Sequence, residues 1–284
     1  MTMKISFKIF AFVAMLCLMA CDSMVTNVTP PKVEPKLVVY AFLSPDETEI
    51  AVHVRRSLPI WSGNSSLGND TVADAVVRLS NGFTEVLIPY DAEGIYRLPQ
   101  SAFPLQAGET YLLRVSTSQG EVVTGSTRIP ERQVFIDTIV YTRQPGPFGF
   151  SDDVFNVRWT DLPGGDNHYM LSVTLEQEGL DSVFSDFFGF LVFSDVFQSR
   201  DAINGRLNAL VNASFFGEQG DTIRLYFNLA YTDRDYYRYH SLRLNYTGNS
   251  PFSEPTIMFE NVQGGTGVVA SYRNTRVVYE IVVP

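Results

Sequence analysis

The stretch "DAVVRLSNGFTEVLIP", residues 74–89, decides the fold class. A valine-rich run, Asp74-Ala75-Val76-Val77-Arg78-Leu79, meets Asn81-Gly82, and a second run from Glu85 to Pro89 follows. Asn-Gly supplies the positive φ angles of a two-residue hairpin turn, so the stretch reads as two antiparallel strands. The same signature recurs on both sides. Upstream, Leu37-Val38-Val39-Tyr40-Ala41-Phe42-Leu43 is apolar, and Glu49-Ile50-Ala51-Val52-His53-Val54-Arg55 alternates with period two. Downstream, Gly94 to Leu98, Thr110 to Thr117 and Glu121 to Arg128 complete the set. About seven short strands at this spacing predict an immunoglobulin-like or transthyretin-like β-sandwich over residues 37–131. Gly108-Glu109-Thr110-Tyr111-Leu112-Leu113-Arg114-Val115 looks like the turn and strand common in such modules.

Ile129-Pro130-Glu131-Arg132 marks a boundary, because proline ends strand pairing and starts a connection. Residues 132–284 predict a larger β domain, a second sandwich or a barrel-like sheet. Its strands are read at Val134 to Tyr141, Val154 to Thr160, Tyr169 to Leu175, Ser182 to Phe193, Thr222 to Ala230, Ile257 to Val262, Gly267 to Tyr272 and Arg276 to Val283. One segment differs. Thr232-Asp233-Arg234-Asp235 begins like a capping box, and Gly248 and Pro251 follow, which predicts a helix near residues 233–247. Tyr236, Tyr239, Arg243 and Tyr246 would share one of its faces, with Leu242 beside it.

The first 20 residues have a basic start, Lys4 and Lys8, then the apolar core Ile9 to Leu16, the layout of a secretory signal. Leu18-Met19-Ala20-Cys21 is similar to the bacterial lipobox, in which the thiol at the first mature position takes the lipid. Cys21 is thus the expected lipidation site. The chain has two cysteines, and Cys17 lies inside the signal, so the expected mature chain holds no disulfide, zinc knuckle or cysteine nucleophile. Residues 21–36, with Pro30, Pro31 and Pro35, read as an extended tether reaching about 45 Å from a bilayer at roughly 3 Å per residue.

The formal net charge is −10, with 31 acidic against 21 basic residues, and removing the signal takes away two lysines and no acid. An acidic body argues against nucleic acid and other polyphosphate partners. Apolar residues at 45% and aromatics at 13% suffice for real cores, and 284 residues suit about two domains.

The order of several motifs in the second half carries a resemblance. Trp159-Thr160-Asp161-Leu162-Pro163 precedes Asn167-His168-Tyr169, then come Asp201-Ala202-Ile203-Asn204-Gly205, the aromatic helix and Asn249-Ser250-Pro251-Phe252-Ser253-Glu254-Pro255. The segment from Glu260-Asn261-Val262-Gln263-Gly264-Gly265-Thr266-Gly267 to Val268-Val269-Ala270-Ser271-Tyr272 closes the series. Together with the lipobox and Leu37-Val38-Val39, this resembles the lipoprotein family catalogued as domain of unknown function 4249. His168, where the family usually shows a Tyr-Tyr pair, and Val268-Val269, where glycine-phenylalanine-like pairs are common, depart from it. The resemblance implies a cell-envelope lipoprotein generally encoded beside a TonB-dependent outer-membrane receptor, with no catalytic residue to carry over.

Gln263-Gly264-Gly265-Thr266-Gly267 invites a phosphate-loop reading, but a strand-like run follows it and no Lys is present. It is read instead as a tight hairpin between the last strands. His53, His168 and His240 are far apart and read as surface or packing residues, and no G-x-S-x-G elbow occurs. Asp152-Asp153, Asp161 and Asp166-Asn167 concentrate oxygen ligands that calcium would need, with solvated turns as the alternative. No other metal or cofactor is expected. Trp61, in the polar loop Pro59 to Asp70, and Phe148 and Phe150, in Gln144-Pro145-Gly146-Pro147-Phe148-Gly149-Phe150, are either ligand-binding aromatics or rings packed under their own loops.

These readings converge on a lipid-anchored outer-membrane protein, mostly β. Its expected role is a non-enzymatic binding or accessory subunit beside a TonB-dependent receptor in nutrient capture or uptake. A cell-surface hydrolase of glycans or peptides and a structural or adhesive envelope protein are the alternatives. Which face of the membrane the body occupies is left open.

Overall fold

Alternating apolar and polar residues lay down strands along nearly the whole described chain. This computed structural model describes residues 34–58, 70–145, 151–177, 187–194, 206–213, 220, 222–244 and 258–282. Within them run β1 (Leu37–Leu43), β2 (Glu49–Arg56), β3 (Val76–Ser80), β4 (Glu85–Ile88), β5 (Tyr90–Ala92), β6 (Ile95–Pro99), β7 (Thr110–Ser116) and β8 (Val122–Arg128). The second half adds β9 (Ile136–Pro145), β10 (Ser151–Thr160), β11 (His168–Gln177), β12 (Phe187–Ser194), β13 (Arg206–Ala213), β14 (Thr222–Thr232), α1 (Arg234–Leu244) and β15 (Thr266–Val282). Every described residue from Lys36 onward belongs to one compact unit.

The strands form three sheets: an eight-stranded one in the order β12-β11-β14-β15-β1-β2-β6-β5, a four-stranded one, β4-β3-β7-β8, and a three-stranded one, β13-β10-β9. The protein is therefore mostly β, built as sandwiches, and among the described residues no sheet closes into a barrel. The Asn81-Gly82 hairpin joins β3 to β4 with Ser80 opposite Glu85, and Asn81 Oδ1 accepts the Thr84 N–H at 2.9 Å.

Side-chain parity divides the large sheet into two faces. On one face Leu37, Val39, Ala41, Leu43 and Val269 join Val77, Leu79, Leu113 and Val115 of the four-stranded sheet in a first core. On the same face of β15, Tyr279 and Ile281 join Phe227, Leu229, Leu171 and the three-stranded sheet's Phe155, Val157 and Trp159 in a second. The opposite parity, Tyr40, Phe42, Met170, Ala230, Val268 and Ala270, packs against α1. Each fully buried Val, Leu or Phe contributes about 1.5–3 kcal/mol. Exposed pairs such as Arg78–Glu85 add at most about 1 kcal/mol, so the cores carry the stability.

β15 joins the two cores. Its first residues pair parallel with β1, from Val38 opposite Thr266 to Leu43 opposite Ser271. Its remainder, Tyr272 to Val282, pairs antiparallel with β14. The expected pair of strands, Gly267 to Tyr272 and Arg276 to Val283, is one strand of 17 residues. The polar Arg273-Asn274 between them does not break it, because the turn after β1 supplies partners. Asp46 accepts the Asn274 N–H at 2.7 Å and two Arg273 guanidinium N–H groups at 2.8 and 3.2 Å.

The glycine-rich segment is likewise not a hairpin between strands, since residues 258–262 are not a strand. Gln263 bridges Thr124, and the chain then drops directly onto β1. A Cβ at Gly267, whose φ is +129°, would lie 1.9 Å from the Val39 carbonyl oxygen, and one at Gly265 would lie 2.5 Å from that of Leu37. These glycines let two backbones meet. Asn261 closes the segment, accepting the Val269 N–H at 2.9 Å and donating to the Val269 carbonyl at 2.9 Å. Arg206–Ala213 is a strand that the sequence reading left out.

Substituting Gly267→Ala is expected to cost at least about 3 kcal/mol in urea unfolding, from backbone overlap added to positive φ. Gly82→Ala, where nothing lies within 4 Å of the added Cβ, should cost only about 1 kcal/mol for its φ of +89°.

Candidate functional site

β14 runs straight into α1, and the residue between them controls the junction. Thr232 is still in the ladder, opposite both Tyr272 and His168, so it is held extended and does not serve as the helix cap expected of it. Asp233 takes that role, its Oδ1 accepting the Tyr236 N–H at 2.7 Å. Its Oδ2 accepts the Thr127 hydroxyl at 2.6 Å and the Ser271 N–H at 2.7 Å. The Ser271 hydroxyl lies 3.0 Å from that oxygen and 2.9 Å from the Arg128 carbonyl oxygen. One carboxylate thus ties β8, β15 and α1 together. Burial pushes the Asp233 carboxyl above its usual range, and the hydrogen bonds from Thr127, Tyr236 and Ser271 pull the other way.

Beside this knot an open cleft of about 420 Å³ is lined by the Arg128–Arg132 connection, Asp166, His168 and the run Tyr231 to Arg234. Its frame is fixed from several sides. Ile129 is buried in the first core and Val134 in the second, so the connection is held at both ends. Gln133 Nε2 donates to the Asn274 carbonyl at 2.7 Å, which fastens the connection to β15. Arg132 Nη1 donates to the Pro163 carbonyl in the β10–β11 loop. That loop carries Asp161, which accepts the Tyr169 hydroxyl at 2.6 Å and Asn167 Nδ2 at 3.2 Å. Asp166 follows with φ of +60°, a left-handed conformation that Asp tolerates better than most residues.

The buried face of α1 is aromatic. Tyr236 and His240 pack with Phe42 at ring distances of 5.3 and 5.0 Å, and the Tyr236 hydroxyl donates to Met170 Sδ at 2.9 Å. Burial, and then Arg243, push His240 down to about 4, so it is a neutral packing ring at physiological pH. His168 is buried with its ring 4.6 Å from that of Tyr237. His53 sits on β2 opposite Tyr40, its pKa lowered first by burial and then by Arg55 and Arg97.

The oxygen-rich residues fall into two groups, since Asp161 and Asp166-Asn167 share the β10–β11 loop and Asp153 does not. Asp153 is buried near the start of β10, accepting the Tyr141 hydroxyl at 2.6 Å, whereas Asp161 follows the end of that strand. At about 3.3 Å per residue they stand some 26 Å apart and do not share one ion. Among the described residues no group of three or more His, Cys, Asp or Glu is placed to hold a metal. Cys21, Trp61, Phe148, Phe150 and Asp201 to Gly205 lie outside the described residues, as do residues 249–255. Sequence reasoning placed Asp233 next to a helix start but missed its partners. Thr127 and Ser271 carry no motif, and they meet Asp233 only through the fold.

A family model described as "Domain of unknown function (DUF4249)" matches residues 24–277. No curated protein matches the chain. Among solved structures, a chain described as a cytokine receptor complex is similar at 13% identity, covering 88% of this chain and 96% of that one, with a TM-score of 0.22. That likeness is too slight to carry an argument.

Replacing Asp233 by Ala is expected to cost about 3 kcal/mol, the cap together with buried donors left unmatched. Because its folded pKa is raised, Asp233 contributes stability that is present below the unfolded pKa of about 4 and lost as pH rises through the folded value. Wild-type stability relative to Asp233→Asn should therefore fall with rising pH in denaturant titrations. A difference growing with pH would mean that the donors outweigh burial.

Proposed function

The chain belongs to the family described as domain of unknown function DUF4249, and from that premise we propose that it is an outer-membrane lipoprotein acting as a non-enzymatic binding or accessory subunit. Its partner in this reading is a TonB-dependent receptor, with which it works in nutrient capture or uptake. The lipobox-like Leu18-Met19-Ala20-Cys21 supports the anchor, and the proline-bearing residues 21–36 support a body held off the bilayer.

The observation that carries the binding role is the junction cleft. It is concave, charged at its rim and framed by strands of two cores, the kind of place where ligands are held. Its chemistry favours holding over reacting. The Asp233 carboxylate is engaged by the Thr127, Ser271 and Tyr236 donors, and Glu131 is ion-paired with Arg128 at 2.7 Å. Asp166 is the remaining acid of the lining, and a hydrolytic acid–base pair needs two carboxyl groups free to exchange protons with substrate.

In this account Cys21→Ala releases the protein from the membrane fraction into the soluble envelope fraction, read by fractionation and immunoblotting. Affinity capture of the anchored protein from solubilised outer membranes at native expression recovers a TonB-dependent receptor. Capture without any such receptor would remove the partnership.

A further inference from the structure

We propose that the junction cleft binds a small carboxylate-bearing ligand through the guanidinium groups of Arg132 and Arg234. The inference rests on the reading of the chain as a binding protein and names the chemistry of its ligand.

Three arginines and three acids line the cleft, so its formal charges cancel, but they are unevenly engaged. Arg128 is ion-paired with Glu131, three residues on and 2.7 Å away, in an exposed pair. Asp233 is turned into the knot beneath the cleft, where both its oxygens accept hydrogen bonds. That leaves Arg132 and Arg234 as cations of the lining, and among the described residues neither is ion-paired with a carboxylate. Arg132 uses Nη1 on the Pro163 carbonyl and keeps further N–H donors, since a guanidinium has five. Arg234 is the first residue of α1 and exposed, where the partial positive charge of the helix start adds to its own.

Two arginines on fixed elements suit a planar carboxylate, which takes paired N–H···O bonds from a guanidinium fork. The Arg132 guanidinium is held by the Pro163 carbonyl, and the Asp233 cap fixes the backbone that carries Arg234, so part of the ordering cost precedes binding. A volume of about 420 Å³ lies at the lower end of small-molecule sites. Asp166 on the rim and Asp233 below weigh against a doubly charged phosphate, whose second charge meets two acids of like sign. A monoanionic carboxylate meets less of that repulsion. Asp166 is also placed to receive an ammonium group, which favours a ligand with both charges.

The test is isothermal titration of the full-length anchored chain in detergent with alanyl-alanine and acetate, against alanyl-alanine amide and inorganic phosphate. Alanyl-alanine should bind more tightly than acetate, the amide should lose at least about tenfold, and phosphate should be the weaker anion. The double variant Arg132→Gln/Arg234→Gln should weaken alanyl-alanine binding about tenfold or more while circular dichroism and the unfolding midpoint stay at wild-type values. If the double variant does not fold, the exposed Arg234→Gln alone gives the same readout. The proposal is overturned if neither carboxylate binds up to about 10 mM, if phosphate binds better, or if the arginine variants bind as wild type does. Failure here with receptor capture intact removes the ligand chemistry and leaves the accessory role. The reverse result removes the receptor and leaves the cleft.

Discussion

The parallel pairing of β1 with β15 is the constraint on which the rest of the structure depends. Residues near 40 lie against residues near 268, across almost the whole chain, and the contact ties the first core to the strand that also serves the second. Leu37, Val39 and Ala41 need Val269 beside them in the first core, while Tyr279 and Ile281 of the same strand close the second. Such a pairing is slow to form because its loop-closure entropy must be met before any contact rewards it. It persists because the backbones touch directly. At Gly265 and Gly267 there is no room for a side chain between the strands.

The cleft follows from that pairing. Once β15 lies on β1, Ser271 stands opposite Leu43 and faces Thr127 of the smaller sheet, and Asp233 enters between them from the end of β14. The same strand then receives the connection between the cores through Asn274 and Arg273. The concave surface is therefore a by-product of joining two sandwiches along one strand. Its position at a junction of sheets explains why its lining comes from segments as distant as 128–132, 166–168 and 231–234.

Much of the fold was legible in the sequence, and the reason lies in periodicity. Val77 and Leu79 before Asn81-Gly82, or the alternation from Glu49 to Arg55, specify strands locally. Sheet order is another matter. Nothing local distinguishes a last strand that pairs with its neighbour from one that pairs with the first, so Gln263 to Gly267 looked like a hairpin. Arg273-Asn274 looked like a break for a similar reason, since the Asp46 carboxylate that satisfies them is 227 positions away. The helix was visible in its aromatic face, but its start was displaced by one residue because ladder pairing of Thr232 overrides its capping preference. For the site the balance is reversed. Pro130 marked the connection that lines the cleft, while the Thr127–Asp233–Ser271 knot has no sequence signature at all.

The central claim is that β15 makes the two sandwiches one cooperative body. Native-state amide hydrogen exchange tests it most directly, by comparing protected amides of β2, β3 and β7 with those of β10, β13 and β14. The account predicts one shared opening free energy for the slowest amides of both groups, falling together in mild denaturant. Two separate opening energies, with one set exchanging while the other stays protected, would contradict it.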